Sequence, residues 1–456
     1  MLQRSAWPRR WAVLLLVAGC ASGAARASEP VDLLTICNDA LSLNPRYAAA
    51  RAEYLAAKQL VPLAKSRLRP QVGLGAAAYY VDHSVEGDYY GLIDIDRSDE
   101  FSSIQYGVSV NQALFRADLF LGKTHAELRV RAAGYTLEAA QDLLLLEVAE
   151  AYFAVLAAQD ALASTEAAER AFGEQAELLR LRTEAGLVTE ADHKGAQALH
   201  ALAEANRLDA ANALLTTTAR LESLTGKHYP QIKRLPHDLR PQPPEPYDEQ
   251  VWIRRAQDGN AVVLAQRAAA EVAKIDNERV QKAAWPRLDL EGRLTYLDNG
   301  GGVSGEREDH YNRIGVTLRL PIYTGGQISA GLRLTEELQR RAEATVEDVT
   351  AKAVRDTRVA YLNSLAGQKR VDALQRAVEA SQAYERSARV GYDAGTQSST
   401  DLLQALEQRY RAERDYSLAR YMALMSSLRL KAQVGQLLTA DIAQINRLLQ
   451  APPATP

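Results

Sequence analysis

Asp192 and Asp401 are the acidic residues in this sequence with the strongest indication of a function, because they share one position relative to a turn. Each follows a glycine, Gly186 or Gly395, by six residues, and helical patterns flank both glycines. A carboxylate at the start of a helix caps it or interacts with the positive end of its dipole. The simplest interpretation is therefore that both aspartates cap or solvate helix starts.

Other residues that could support chemistry lack the neighbours that the chemistry needs. Gly122-Lys123-Thr124 resembles part of a phosphate-binding loop, but Ala117 stands where that loop needs a glycine. His193 and His200 lie seven residues apart on one predicted helix face with no third ligand, which is typical of solvated histidines. Further acids form a solvated run in a predicted surface loop: Glu306, Glu308 and Asp309. The sequence predicts no enzyme, no metal site and no cofactor.

The first residues are typical of an export signal. A basic start and an apolar run over residues 12–18 precede several small residues. We expect a signal peptide over residues 1–27 that is cleaved after Ala27. Lipoprotein processing at Cys20 is an alternative, and either route takes the chain out of the cytoplasm.

Composition excludes several classes of partner and structure. Removal of the signal takes away four arginines and no acids, so the formal net charge of −3 becomes −7 (−3 − 4). No clustered basic face is present, so we expect no nucleic-acid partner. Cys37 is the only cysteine left, which rules out an intramolecular disulfide. No later segment has about 18 consecutive apolar residues, so a membrane crossing would need strands.

Two long proline-free stretches, residues 115–226 and 322–451, have helical composition. In the first, the only plausible interior break is at 185–189, where a glycine can turn the chain and Thr189 can cap the next helix. The arm before this break has 71 residues, or roughly 105 Å at ~1.5 Å per residue. That is about three times the thickness of bilayer hydrocarbon. Such a helix is expected to span a distance.

Four segments alternate apolar and polar residues with a period of two, which predicts β-strands. They are residues 71–80, 103–111, 287–296 and 313–320. We expect an acidic loop over residues 81–102 and a glycine-rich loop from 299 to 302. The acids of the first loop are Asp82, Glu86, Asp88, Asp94, Asp96, Asp99 and Glu100.

The order helix, strand, strand, long helix, turn, long helix occurs twice, which predicts an internal duplication. Asn260 corresponds to Asn44 at an offset of 216, and Gly395 corresponds to Gly186 at an offset of 209. The predicted divisions are a first repeat over 28–240, a proline-rich connector over 241–250, a second repeat over 251–440 and a tail over 441–456.

Strands with one apolar and one polar face fit two arrangements. In the first, a hairpin sheet lies on a hydrophobic core with its other face in water. In the second, a membrane barrel turns apolar residues to lipid and polar residues to a lumen. Four strands are too few to close a barrel, and an open sheet edge would have no hydrogen-bond partners in lipid. The barrel interpretation therefore requires several copies of the chain to share one barrel.

Four motifs, in this order and spacing, resemble the TolC family of outer-membrane channel-tunnels over residues 31–449. They are AGLV at 185–188, LTGKHYP at 224–230, LPIYTGG at 320–326 and GYDAGT at 391–396. The resemblance implies an α+β membrane fold in which a homotrimer forms a 12-stranded antiparallel β-barrel. That barrel would continue into a long 12-helix α-barrel, a coiled-coil cylinder in the periplasm.

The resemblance also implies a gate where the helical hairpins end. Asp401 and Gln404 would stand at two rings of the constriction, of which only the first is acidic here. Tyr392 and Asp192 match two positions of a polar latch, and Gln397 replaces its arginine. The gate would then depend on fewer charged contacts than the family pattern has.

The hairpin tips are expected to dock onto a periplasmic adaptor that is attached to an inner-membrane ABC or proton-driven transporter. The tip residues are Gly186, Leu187, Val188, Gly395 and Thr396. The resemblance thus implies a passive exit duct, held in outer-membrane lipid, for type I protein secretion or drug efflux. The alternative is a coiled-coil scaffold or adhesin of the cell envelope without a pore.

Overall fold

The computed structural model describes residues 30–89, 91, 93–236, 242–302, 305–437 and 439–450. The expected signal peptide, with Cys20 and the cleavage site after Ala27, lies outside these residues. The described elements are, in order, α1 (Leu33–Leu43), α2 (Pro45–Lys58), α3 (Leu60–Ser66), β1 (Gln71–Tyr89), β2 (Ile93–Phe115), α4 (Ala117–Glu184), α5 (Glu190–Thr225), α6 (Glu249–Gly259), α7 (Ala261–Lys282), β3 (Arg287–Asn299), β4 (Arg307–Arg319), α8 (Gln327–Asp393), α9 (Ser399–Gln433) and α10 (Thr439–Asn446).

The four strands form one antiparallel sheet in the order β1-β2-β3-β4. Its apolar face is open in the single chain: Val72 is 70% exposed, and Leu74 and Ile314 are each 80% exposed. The described helices do not cover this face, so the interpretation of a sheet lying on a hydrophobic core of its own chain is wrong. The apolar side chains need another apolar environment.

The predicted acidic loop over residues 81–102 is also wrong, because β1 and β2 continue through most of it. Their pairing extends to Tyr89 opposite Ile93. Between the two strands, Gly91 adopts a φ of +69° and its N–H donates to Asp88 Oδ1 at 2.7 Å. Strand pairing uses backbone groups, so water-facing carboxylates do not prevent it.

Two long helical hairpins account for most of the chain. Helix α4 has 68 residues and α8 has 67, each roughly 100 Å long at ~1.5 Å per residue. Helix α5 packs along α4, and α9 packs along α8. Helix α7 contacts both α4 and α8 and so joins the two hairpins. In the described part of the chain, no helix is both long and apolar enough to cross a bilayer.

The main core lies midway along α4, where α1, α9 and α10 surround it. Tyr152 and Phe153 are fully buried there, with their rings in an edge-to-face contact at 5.7 Å. The hydroxyl of Tyr152 donates to the carbonyl of Lys233 at 2.6 Å, so its polar atom stays satisfied inside the core. This core brings α1 and α10, the first and last described helices, to the middle of α4.

The first and last described segments are held together beside this core. Asp32 caps α1 by accepting from the N–H of Thr35 at 2.9 Å, and it also accepts from Asn446 Nδ2 at 3.1 Å. Burial raises the pKa of Asp32, but these hydrogen bonds and the charge of Lys233 outweigh it and lower the pKa to about 2. The carboxylate is therefore ionised at neutral pH and ties α10 to α1.

Candidate functional site: the hairpin ends

Both hairpins turn with the same backbone geometry. Gly186 and Gly395 adopt φ values of +71° and +73°, in the left-handed region that favours glycine. In the first turn the N–H of Leu187 donates to the carbonyl of Arg182 at 2.8 Å. In the second, the N–H of Thr396 donates to the carbonyl of Gly391 at 2.8 Å. Leu187, at the tip, is 74% exposed.

Asp192 and Asp401 each complete a capping box, so the capping interpretation is confirmed for both. Asp192 Oδ2 accepts from the N–H of Thr189 at 3.2 Å, and Asp401 Oδ2 accepts from the N–H of Ser398 at 3.0 Å. The hydroxyls of Thr189 and Ser398 donate to the same oxygens at 2.6 and 2.7 Å. These hydroxyl hydrogen bonds are the main reason that the pKa of each aspartate is lowered. Both carboxylates are ionised at neutral pH.

Two polar contacts join the hairpin ends to each other. The hydroxyl of Ser399 on α9 donates to Asp192 Oδ1 on α5 at 2.9 Å. Arg182 on α4 donates from Nη1 to the hydroxyl of Tyr392 on α8 at 2.7 Å. The Arg182 guanidinium also lies 4.9 Å from the centre of the Tyr392 ring, which is cation–π geometry.

Tyr392 and Asp192 therefore have different partners within the described chain. The family resemblance implies that both belong to one polar latch, whereas here Tyr392 contacts Arg182 and Asp192 contacts Ser399. Sequence reasoning missed Arg182 and Ser399, because nothing in the local pattern distinguishes a residue that contacts another hairpin. The role of Tyr392 and Asp192 in a gate stays a prediction.

Gln397 and Gln404, which the resemblance places at charged positions of the family, lie in different surroundings. Gln397 packs against Gly391, since a Cβ added to that glycine would come within 2.9 Å of the glutamine side chain. Its Oε1 is buried and has no hydrogen-bond partner in the described part of the chain. Gln404 is exposed on α9, one turn after Asp401.

A small apolar core holds the hairpin ends in place. It includes Leu179 from α4, Ala196 from α5, Tyr392 from α8, and Leu402 from α9, and Val188 packs against it. The described residues contain no group of three or more potential metal ligands. The ends thus combine two glycine turns, two ionised carboxylates and the two contacts between hairpins described above.

Comparison with known proteins identifies the family. The sequence profile described as "Outer membrane efflux protein" matches residues 36–227 and 252–436. The chain is 29% identical to outer membrane protein TolC of Vibrio cholerae, over 91% of this chain and 93% of that protein. It is 25% identical to the alkaline protease secretion protein AprF of Pseudomonas aeruginosa, over 88% of this chain and 84% of that protein.

Solved structures show the same fold. The outer membrane protein VceC of Vibrio cholerae matches with a TM-score of 0.75 and 22% identity, over 88% of this chain and 96% of that one. The CmeC outer membrane channel of Campylobacter jejuni matches with a TM-score of 0.76 and 16% identity, over 92% of this chain and 90% of that one. The chain therefore belongs to the outer membrane efflux protein family and is an exit duct of the outer membrane.

Proposed function

We propose that three copies of this chain form one gated duct, with a twelve-stranded barrel (3 × 4 strands) above a periplasmic cylinder of long helices. The single observation that carries the proposal is the open sheet. Its two edge strands, β1 and β4, have no partner among the described residues on their outer sides, and its apolar face is exposed. Lipid offers no hydrogen bonds to a free edge, so neighbouring copies must supply them.

The proposed internal duplication would support this arrangement. Asn44 caps α2 and donates from Nδ2 to the carbonyl of Leu224 at 3.0 Å. Asn260 caps α7 and donates to the carbonyl of Gln433 at 2.8 Å. Each asparagine thus anchors the start of one helix to the end of a hairpin. Two similar halves per chain would let three chains approximate a sixfold cylinder, with the division at the connector over 241–250.

We assign the gate and the docking surface to the hairpin ends. Asp401 of each copy would line the constriction, where three carboxylates favour cations. Gln404, Tyr392, Gln397 and Asp192 would complete the gate.

The tips would meet a periplasmic adaptor bound to an inner-membrane ABC or proton-driven transporter. Their residues are Gly186, Leu187, Val188, Gly395 and Thr396. The cargo would be a secreted protein or a small molecule, in line with the relatives named for protease secretion and efflux.

Planar-bilayer recording of the purified full-length protein tests the duct. Stepwise conductance is expected, together with cross-linked species of three chains. A detergent-extracted protein that gives no conductance at any voltage would favour the alternative, a coiled-coil scaffold without a pore.

A further inference from the structure

A cavity of about 160 Å³ lies where the helices meet the sheet. Leu60 and Leu63 of α3 and Leu119 of α4 form an apolar wall. Strand β1 begins at Gln71, shortly after α3 ends, and α4 begins directly after β2. The cavity is therefore close to the end of the sheet from which the helices extend.

Three arginines, Arg67, Arg129 and Arg279, line the same cavity, and none of its lining residues carries a carboxylate. Asp276 is outside the lining, 3.0 Å from Arg279 Nη1 and 3.3 Å from His125 Nε2. Burial is the main reason that the pKa of His125 is lowered, so this histidine is neutral at pH 7. The lining thus contains three guanidinium groups and no carboxylate, which gives it an excess of positive charge.

One of these guanidinium groups has an unmet hydrogen-bonding need. Arg279 Nε is buried and has no acceptor in the part of the chain that the structure describes. Such an orphan donor costs free energy and calls for a water or an ion nearby. The cavity is several times larger than one water molecule needs. Because its polar lining is cationic, an anion satisfies it better than water does.

We propose that this cavity binds the phosphate group of an anionic lipid, with the start of the lipid's apolar part against the leucines. Arginine matches phosphate geometry with paired N–H donors. The apolar wall would gain nothing from free phosphate but would be covered by a lipid. In the proposed barrel, which this inference assumes, the cavity lies at the level of periplasmic-leaflet headgroups.

The chain offers a variant that blocks the cavity without changing its charge. Gly122 lines the cavity, and a Cβ added there meets nothing within 4 Å. Gly122→Leu should therefore fill the space while strengthening helix propensity. Arg129→Gln removes one charge from the lining. Arg131→Gln is the matched control, because Arg131 lies on the same helix and pairs with Glu271 outside the cavity.

The test measures binding of phosphatidylglycerol to detergent-extracted full-length protein by native mass spectrometry. A neutral lipid with the same chains and inorganic phosphate serve as comparison probes. Wild type and Arg131→Gln should bind phosphatidylglycerol equally, and Gly122→Leu and Arg129→Gln should bind it about tenfold more weakly.

Equal binding by all four proteins would overturn the site. If inorganic phosphate binds as tightly as phosphatidylglycerol, the cavity is a phosphate site and the proposal of a lipid ligand is refuted. Equal binding of the neutral lipid would refute recognition of the anion. Conductance of the same preparations is recorded separately, so a failure of the duct is distinguished from a failure of the lipid site.

Discussion

The hydrogen bond from Ser399 to Asp192 can be removed without disturbing any other contact at the hairpin ends. Ser399→Ala deletes the donor at 2.9 Å, while Thr189 and Ser398 keep both capping boxes. Ser399 is itself buried, so alanine fits the space that the serine occupies. The substitution therefore isolates one bond between the two hairpins.

The magnitude follows from the environment of the bond. A hydrogen bond to a charged group contributes about 1.5–3 kcal/mol. Asp192 is partly exposed to solvent, so we expect about 1 kcal/mol per chain after screening. If three copies open together, the closed state loses about 3 kcal/mol, which favours opening by roughly 150-fold.

Planar-bilayer recordings measure this change as the fraction of time that single channels are open. Thr400→Ala is the matched control, because Thr400 is the next hydroxyl residue along α9 and is exposed. Ser399→Ala should raise the open fraction well above that of Thr400→Ala. Equal open fractions in these two variants would refute the assignment of this bond to the closed state.

Further substitutions test the other parts of the proposal. Asp401→Asn should weaken block by divalent and trivalent cations several-fold in single-channel recordings, and unchanged block would mean that Asp401 does not line the constriction. Gly186→Glu or Gly395→Glu should abolish export while trimers persist in the membrane, because the tips would lose their adaptor contact; normal export would place docking elsewhere. Burial and the charge of Glu138 raise the pKa of Asp142 to about 6, so its ionised form destabilises the fold and stability falls as pH rises from about 4 to 6. Asp142→Asn should therefore raise the free energy of unfolding by about 1 kcal/mol at pH 7.5 and leave it unchanged at pH 3.5. Melting temperatures from thermal unfolding at the two pH values measure this difference.

Features set by local sequence could be predicted. The segment from Gly186 to Asp192 contains a helix stop, an N-cap and its capping partner. Helix α4 ends at Glu184, as this pattern indicated. The long helices and the four strands could also be predicted, because helix-favouring composition and strand alternation are local properties of the chain.

Contacts between distant segments could not be predicted in this way. Arg182 and Tyr392 are 210 residues apart, and Asp32 and Asn446 are 414 apart. Which side chains meet depends on how whole helices pack, and no local pattern records it. The prediction for the acidic residues after Tyr80 was wrong for another reason. Their charge suggested a loop, although the alternation continues through them and the backbones of β1 and β2 stay hydrogen-bonded.

The unequal strand lengths have a consequence for the outer rim of the duct. The pairing of β2 with β3 ends at Ser103 opposite Asn299, whereas β1 and β2 continue for ten more paired positions, from Tyr80 to Tyr89. At ~3.3 Å per residue this ribbon extends roughly 30 Å beyond the last β2–β3 pair, measured along the strands. In the proposed barrel, long and short hairpins would alternate around the mouth, so its rim would be uneven. A large cargo would then leave sideways through the gaps above the β3–β4 hairpins as well as along the axis of the duct. It would pass the extended ends of β1 and β2, which carry several carboxylates.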